Sequence, residues 1–161
     1  MSPTKYEPNA THHNCVEYRR LTIADIEPVA DFAVEGMRPH LYPAQRLSLD
    51  KVQAVVRHFH DSATDFHLLA FDAGRLVAAM AATVQESLFF ERGEAHLVMC
   101  RAIAPGAAPP MFRALRTWFE RDHRARCIRW PQEYDAPPAM TRLMARYGFR
   151  QRATTCTLYK D

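Results

Sequence analysis

The chain has 161 residues, 48% hydrophobic and 24% charged, with a formal net charge of +3. That length fits one domain able to bury a continuous core, and the composition excludes a disordered chain. No apolar run approaches the roughly 20 residues that span a bilayer, and the polar stretch Met1–Asn14 lacks a signal-peptide core, so a cytoplasmic protein is expected.

The chain order opens with residues 1–15, a polar extension carrying Pro3, Pro8, His12 and His13. Such an extension frays unless a partner holds it, so a protein partner is expected. Tyr18–Leu21 reads as a short strand. Thr22–Met37 reads as a helix with Asp25 as N-cap, Pro28 in the first turn, and Ile26, Val29, Ala30 and Ala33 on one face. Arg38–Pro43 is a proline-punctuated loop. Ser48 then caps a second helix with Leu49, Val52, Val56 and Phe59 at helical spacing.

A hairpin follows. Phe66–Phe71 and Leu76–Val84 are its strands, and Gly74 supplies positive φ in the turn Asp72–Arg75. The small and apolar residues of the return strand predict burial on both faces. Gln85–Gly93 is an irregular link, and Glu94–Ile103 is another strand. Ala104–Pro109 is a loop, and Pro110 suits the first turn of a helix running to about Asp122. Its apolar stripe is Met111, Phe112, Leu115, Trp118 and Phe119. Cys127–Trp130 is a short strand stopped by Pro131. Met140, Leu143, Met144 and Tyr147 stripe a last helix that Gly148 ends, and Thr154–Tyr159 is a final strand.

Charge is divided unevenly. Residues 1–100 hold 9 Lys/Arg against 13 Asp/Glu, and residues 101–161 hold 12 against 5. The basic part is either a solvated face or a seat for an anionic ligand such as a cofactor phosphate or a nucleic-acid backbone, and since no recognised nucleic-acid motif accompanies it, nucleic acid is not the expected partner. Cys15, Cys100, Cys127 and Cys156 form no Cys-x-x-Cys pair, so free thiols are expected. His58, His60 and His67 have no carboxylate or cysteine at ligand spacing, and no metal is expected.

The element order, the opening Arg20-Leu21-Thr22-Ile23-Ala24-Asp25-Ile26, the return strand Gly74-Arg75-Leu76-Val77-Ala78 and the closing Tyr147-Gly148-Phe149 together resemble the GNAT family of N-acetyltransferases over residues 16–161. The resemblance implies an α/β fold, a GNAT-like mixed, mostly antiparallel sheet flanked by helices on both faces. It implies acetyl-CoA as acyl donor and an amine as acceptor. The family's pyrophosphate loop, Gln/Arg-x-x-Gly-x-Gly/Ala, falls on Ile103-Ala104-Pro105-Gly106-Ala107-Ala108. Gly106 and Ala108 match, Ala107 lies between them, and Ile103 replaces the Gln/Arg. Pro109 and Pro110 remove two donors from a helix N-terminus whose N–H groups would otherwise face the phosphates. Arg101 would be the displaced cation.

The family's frequent tyrosine acid falls on Met144, which has no proton to give. Pro137 takes the position of the family's asparagine, and Tyr147 is a packing residue. Glu94 and His96 alternate onto one strand face with Val98 and Cys100, and either Glu94 or His96 is a candidate base.

Two functions follow. In the first, the chain transfers an acetyl group directly to an amine. In the second, which the altered loop and last helix favour, a GNAT scaffold with an eroded site serves as an interaction or structural component. The link Glu86–Phe90 adds a looser resemblance to GNAT-type proteins of tailed bacteriophages, which implies a virion component assembled in the cytoplasm.

Overall fold

The computed structural model describes residues 16–40, 46–122, 124–130 and 138–150. The N-terminal extension, Pro137 and the expected final strand Thr154–Tyr159 lie outside the described residues. Among those described, no helix is long and apolar enough to cross a membrane.

Five strands form one sheet in the order β1 (Glu17–Arg19), β2 (Phe66–Asp72), β3 (Arg75–Gln85), β4 (Gly93–Ala102) and β5 (Ala125–Arg129). The first four are antiparallel neighbours, and β5 lies parallel to β4. The expected mixed, mostly antiparallel sheet is therefore present. Helices α1 (Ile26–Met37) and α2 (Leu49–Asp61) cover one face, and α3 (Ala108–Arg121) and α4 (Pro138–Arg146) cover the other.

The alanines of β3 explain how both faces are covered. Ala78 and Ala82 belong to the core under α3, and Ala79 and Ala81 to the core under α1 and α2, each at most 1% exposed. Small side chains on a central strand let helices approach from both sides. On the α3 face, Met111, Phe112 and Leu115 are fully buried. Each contributes about 1.5–3 kcal/mol of burial.

Local chemistry sets the element ends. Ser48 accepts a hydrogen bond from the Lys51 N–H at 3.4 Å and starts α2. The β2–β3 turn places Ala73 and Gly74 at positive φ, 49° and 78°, the paired left-handed conformation of a two-residue hairpin. Gly93 is required by close approach, because a Cβ there would fall 2.1 Å from the Gln85 carbonyl oxygen.

The start of α1 departs from expectation. A 3-10 turn, Ile23–Asp25, precedes it, and Asp25 does not cap the helix with its side chain. Its carboxylate turns back to accept from the Thr22 N–H (2.8 Å), the Thr22 hydroxyl (2.5 Å) and both Arg19 Nη atoms (2.6 and 2.7 Å). The bidentate arginine claims the carboxylate and makes Asp25 the reciprocal partner of Thr22. Leu49, expected on the apolar face of α2, is 42% exposed.

Candidate active site

The central feature is a separation of two strands. β5 pairs with β4 only at Gly93–Ala125, Ala95–Ile128 and His96–Arg129. Beyond His96, β4 continues to Ala102 against β3 alone. The parting strands open a cleft of about 970 Å³. His96 and Val98 of β4, Gly36 of α1, Lys51 and Val55 of α2, and Trp130 after β5 all line it.

A bulge in β4 decides which side chains face which helices. Ala81 pairs with Met99 and Ala82 with Leu97, leaving Val98 without a register partner. One extra residue inverts the alternation beyond it. His96, Met99 and Arg101 therefore share the α1/α2 face, and Leu97 and Cys100 share the α3 face. The expectation that Cys100 shares a face with Glu94 and His96 is corrected by this bulge. Burial pushes the Cys100 thiol up to about 12, which makes it a packing group.

The same inversion corrects the expectation for Arg101. Its guanidinium lies 4.1 Å over the Phe32 ring, donates to the Phe32 carbonyl, and stands 3.5 Å from Glu35. It serves α1, on the face opposite the phosphate loop. Gly36 makes room for it, since a Cβ there would lie 2.7 Å from Arg101 Cδ.

The two candidate bases differ in their surroundings. Glu94 Oε1 accepts from Arg126 Nη2 at 2.7 Å and Arg129 Nη2 at 3.0 Å, and Oε2 stands 2.6 Å from Arg129 Nε. The hydrogen bond from Arg126, followed by that from Arg129, holds its carboxyl below the usual glutamate range. A carboxylate with both oxygens engaged by guanidinium groups is a poor proton acceptor. His96 lines the cleft itself, opposite Thr83 on β3.

The loop after β4 has the expected path. The Ile103 N–H donates to the Val77 carbonyl at 2.9 Å, and its side chain is 46% exposed. Gly106 sits at φ 80° with open space where a Cβ would be. Ala107 and Ala108 are buried. A helix start offers four unpaired N–H groups. Here the Ala107 N–H bonds the Ala104 carbonyl at 3.3 Å, and Pro109 and Pro110 have none, leaving Ala108 together with Gly106 of the loop. Two tyrosines hold this segment from behind. Tyr18 donates to the Ala107 carbonyl at 3.1 Å and Tyr147 to the Pro109 carbonyl at 3.0 Å. Met144 packs into the α3-side core.

Sequence reasoning passed over His67 as part of the cleft. It is buried on its floor and accepts from Arg20 Nε at its own Nε2, 3.0 Å away. Burial above all lowers its pKa, and an Nε2 that accepts from Arg20 carries no proton. The signal was its alternation with Leu69 on β2. His58 and His60 pair with Asp65 and Asp61. Among the described residues no group of three or more His, Cys, Asp or Glu side chains is placed to hold a metal.

No protein-family model and no curated protein matches the chain. Solved structures do. A predicted acetyltransferase from Clostridium acetobutylicum, solved with acetyl-CoA, has a TM-score of 0.68 at 13% identity, covering 89% of this chain and 96% of that one. The aminoglycoside acetyltransferase AAC(6')-Iy, in complex with a CoA-based bisubstrate analogue of acetylneamine, has a TM-score of 0.61 at 14% identity, covering 91% and 98%. A GNAT family acetyltransferase from Staphylococcus aureus has 0.59 at 9%, covering 90% and 98%. The chain has the GNAT acetyltransferase fold, and at these identities the likeness concerns the fold alone.

Proposed function

We propose that this chain is an acetyl-CoA-dependent N-acetyltransferase with a reduced hold on the donor's phosphates. The observation that carries this reading is the parting of β4 from β5 beyond His96, which leaves an open strand edge and a histidine along one cleft that reaches Ile103, the first residue of the loop before α3. Gly106 and Ala108 suit a pyrophosphate, because both N–H groups are free of the turn and Gly106 leaves open space beside it. The bound donor would supply the thioester carbonyl carbon.

His96 takes the proton that the acceptor's ammonium must lose. The neutral amine nitrogen forms the C–N bond as the C–S bond breaks, and the second proton that the nitrogen must lose to become an amide passes to solvent. The sulfur leaves with the electron pair and is protonated from solvent, since Met144 has no proton to give and the Tyr147 hydroxyl is engaged. Val98, outside the β3 register, offers a backbone N–H for the oxygen as it gains charge. A general base of this kind is worth about 10²–10⁴ in rate.

Calorimetric titration with acetyl-CoA tests the reading. Binding in the micromolar range, with thiol release on adding amines, is expected. No binding at millimolar donor would sink it.

A second reading is favoured by one observation. Leu88 and Phe89, on the link between β3 and β4, are 93% and 86% exposed. Ser87 Oγ accepts from the Phe89 and Phe90 N–H groups at 3.3 and 3.2 Å, which fixes the loop that presents them. A scaffold used for protein contact, in a virion or elsewhere, would display such residues. Retained acetyl transfer by Leu88→Ser/Phe89→Ser would separate the contact from the chemistry.

A further inference from the structure

We infer that the acceptor is an amine that also carries an anionic group, a carboxylate or a phosphate. The inference rests on the transferase reading and names its substrate class. The α1/α2 side of the cleft is basic. Arg46, three residues before α2, and Lys51, in its first turn, both line it and are exposed. Neither has an ion-pair partner among the described residues. Arg101 contributes a third cation from β4, and Glu35, 3.5 Å from it, is the one carboxylate among the described lining residues. That contact leaves Arg46 and Lys51 as the uncompensated charges.

These cations stand apart from the donor's phosphate seat. α2 packs on the core of Leu69, Ala79 and Ala81, whereas Ala107 and Ala108 belong to the core on the opposite sheet face. Arg46 and Lys51 line the same cleft as His96, so an acceptor whose nitrogen reaches His96 meets them. Like charges in a partly enclosed cleft repel a polycation and attract an anion. An amine such as neamine, with several ammonium groups and no carboxylate, would find one paired carboxylate and three cations. An amine with an anionic substituent would be held by Arg46 and Lys51 while its nitrogen reaches His96. The reaction itself is unchanged: the C–N bond forms, the C–S bond breaks, and the amine proton leaves through His96.

The test compares four amines in a thiol-release assay at low and moderate salt: glutamate, O-phosphoethanolamine, ethanolamine and neamine. At least one anionic amine is expected to exceed both ethanolamine and neamine by tenfold or more in kcat/KM, and which one leads distinguishes carboxylate from phosphate. Arg46→Glu/Lys51→Glu should erase that preference, chiefly through KM, and leave the acetyl-CoA Kd unchanged. A preference for neamine, or a loss of acetyl-CoA affinity in the double variant, would overturn the inference while leaving the transferase reading intact.

Binding of the same four amines is followed separately by NMR shifts of the protein without donor. Saturable binding of an anionic amine that the double variant loses supports the acceptor assignment even where no thiol is released, and a failed acetyl-CoA titration then counts against the transferase reading alone. Absence of binding and of preference overturns the inference.

Discussion

The Tyr147 hydroxyl donates to the Pro109 carbonyl at 3.0 Å while its ring stacks on Phe112, centroids 5.5 Å apart and planes 18° apart. The residue after α4 thereby fixes the first turn of α3, and its proton is held in a structural hydrogen bond. Tyr147→Phe keeps the stack and removes the bond. It should cost about 1 kcal/mol in urea unfolding and leave the pH profile of turnover unchanged. A hundredfold drop in kcat without loss of stability would instead make Tyr147 the acid.

The proposed donor site invites a gain-of-function test. Pro110→Ala returns an N–H to the first turn of α3 and leaves the Pro109 carbonyl available to Tyr147. A hydrogen bond to a charged group is worth about 1.5–3 kcal/mol, so acetyl-CoA should bind about 10- to 100-fold more tightly by calorimetry. Unchanged affinity would show that the phosphates lie elsewhere.

The two candidate bases are separable by rate. His96→Asn should lower kcat by about 10² or more if His96 takes the proton as proposed. Glu94→Gln weakens two exposed ion pairs, each worth about 0–1 kcal/mol, and should change kcat by less than about threefold. The reverse ranking would assign the base to Glu94 despite its arginines.

Asp25 links stability to acidity. Its folded pKa lies well below the ordinary carboxylate value, with the Arg19 hydrogen bond as the largest cause and Thr22 adding to it. The sign follows from the depressed pKa. The contribution is present above the unfolded value, near 3.9, and is lost as pH falls through the folded one. Asp25→Asn should cost about 2 kcal/mol at pH 7, and the gap to wild type should narrow below about pH 4. A gap constant from pH 7 to pH 3 would contradict the ion-pair account.

Local chemistry made much of this fold readable. Ser48 as a cap, Gly74 in its hairpin and the alanines of β3 each act within a few residues. So do the prolines that reduce the donors before Met111. What the sequence concealed depends on pairing between distant segments. The Val98 bulge exists only against Ala81 and Ala82, and without it Arg101 reads onto the wrong face. The engagement of Glu94 requires β5 to lie parallel beside β4, bringing Arg126 and Arg129 within reach across more than 30 residues. Asp25 misled because N-cap and third-position roles use the same side chain, and Arg19 decides between them.

Gly36 has a consequence for how such a cleft changes over time. A single methyl group there would meet Arg101 Cδ at 2.7 Å. The arginine side chain would have to shift from its place beside α1, without any alteration of its own codon. The 3.5 Å contact with Glu35 depends on that place, so a packing change on α1 would alter the charge arrangement of the cleft. If the cleft takes an acceptor as proposed, its selectivity would respond to packing changes on α1, and small-residue substitutions at Gly36 are the place to look for it.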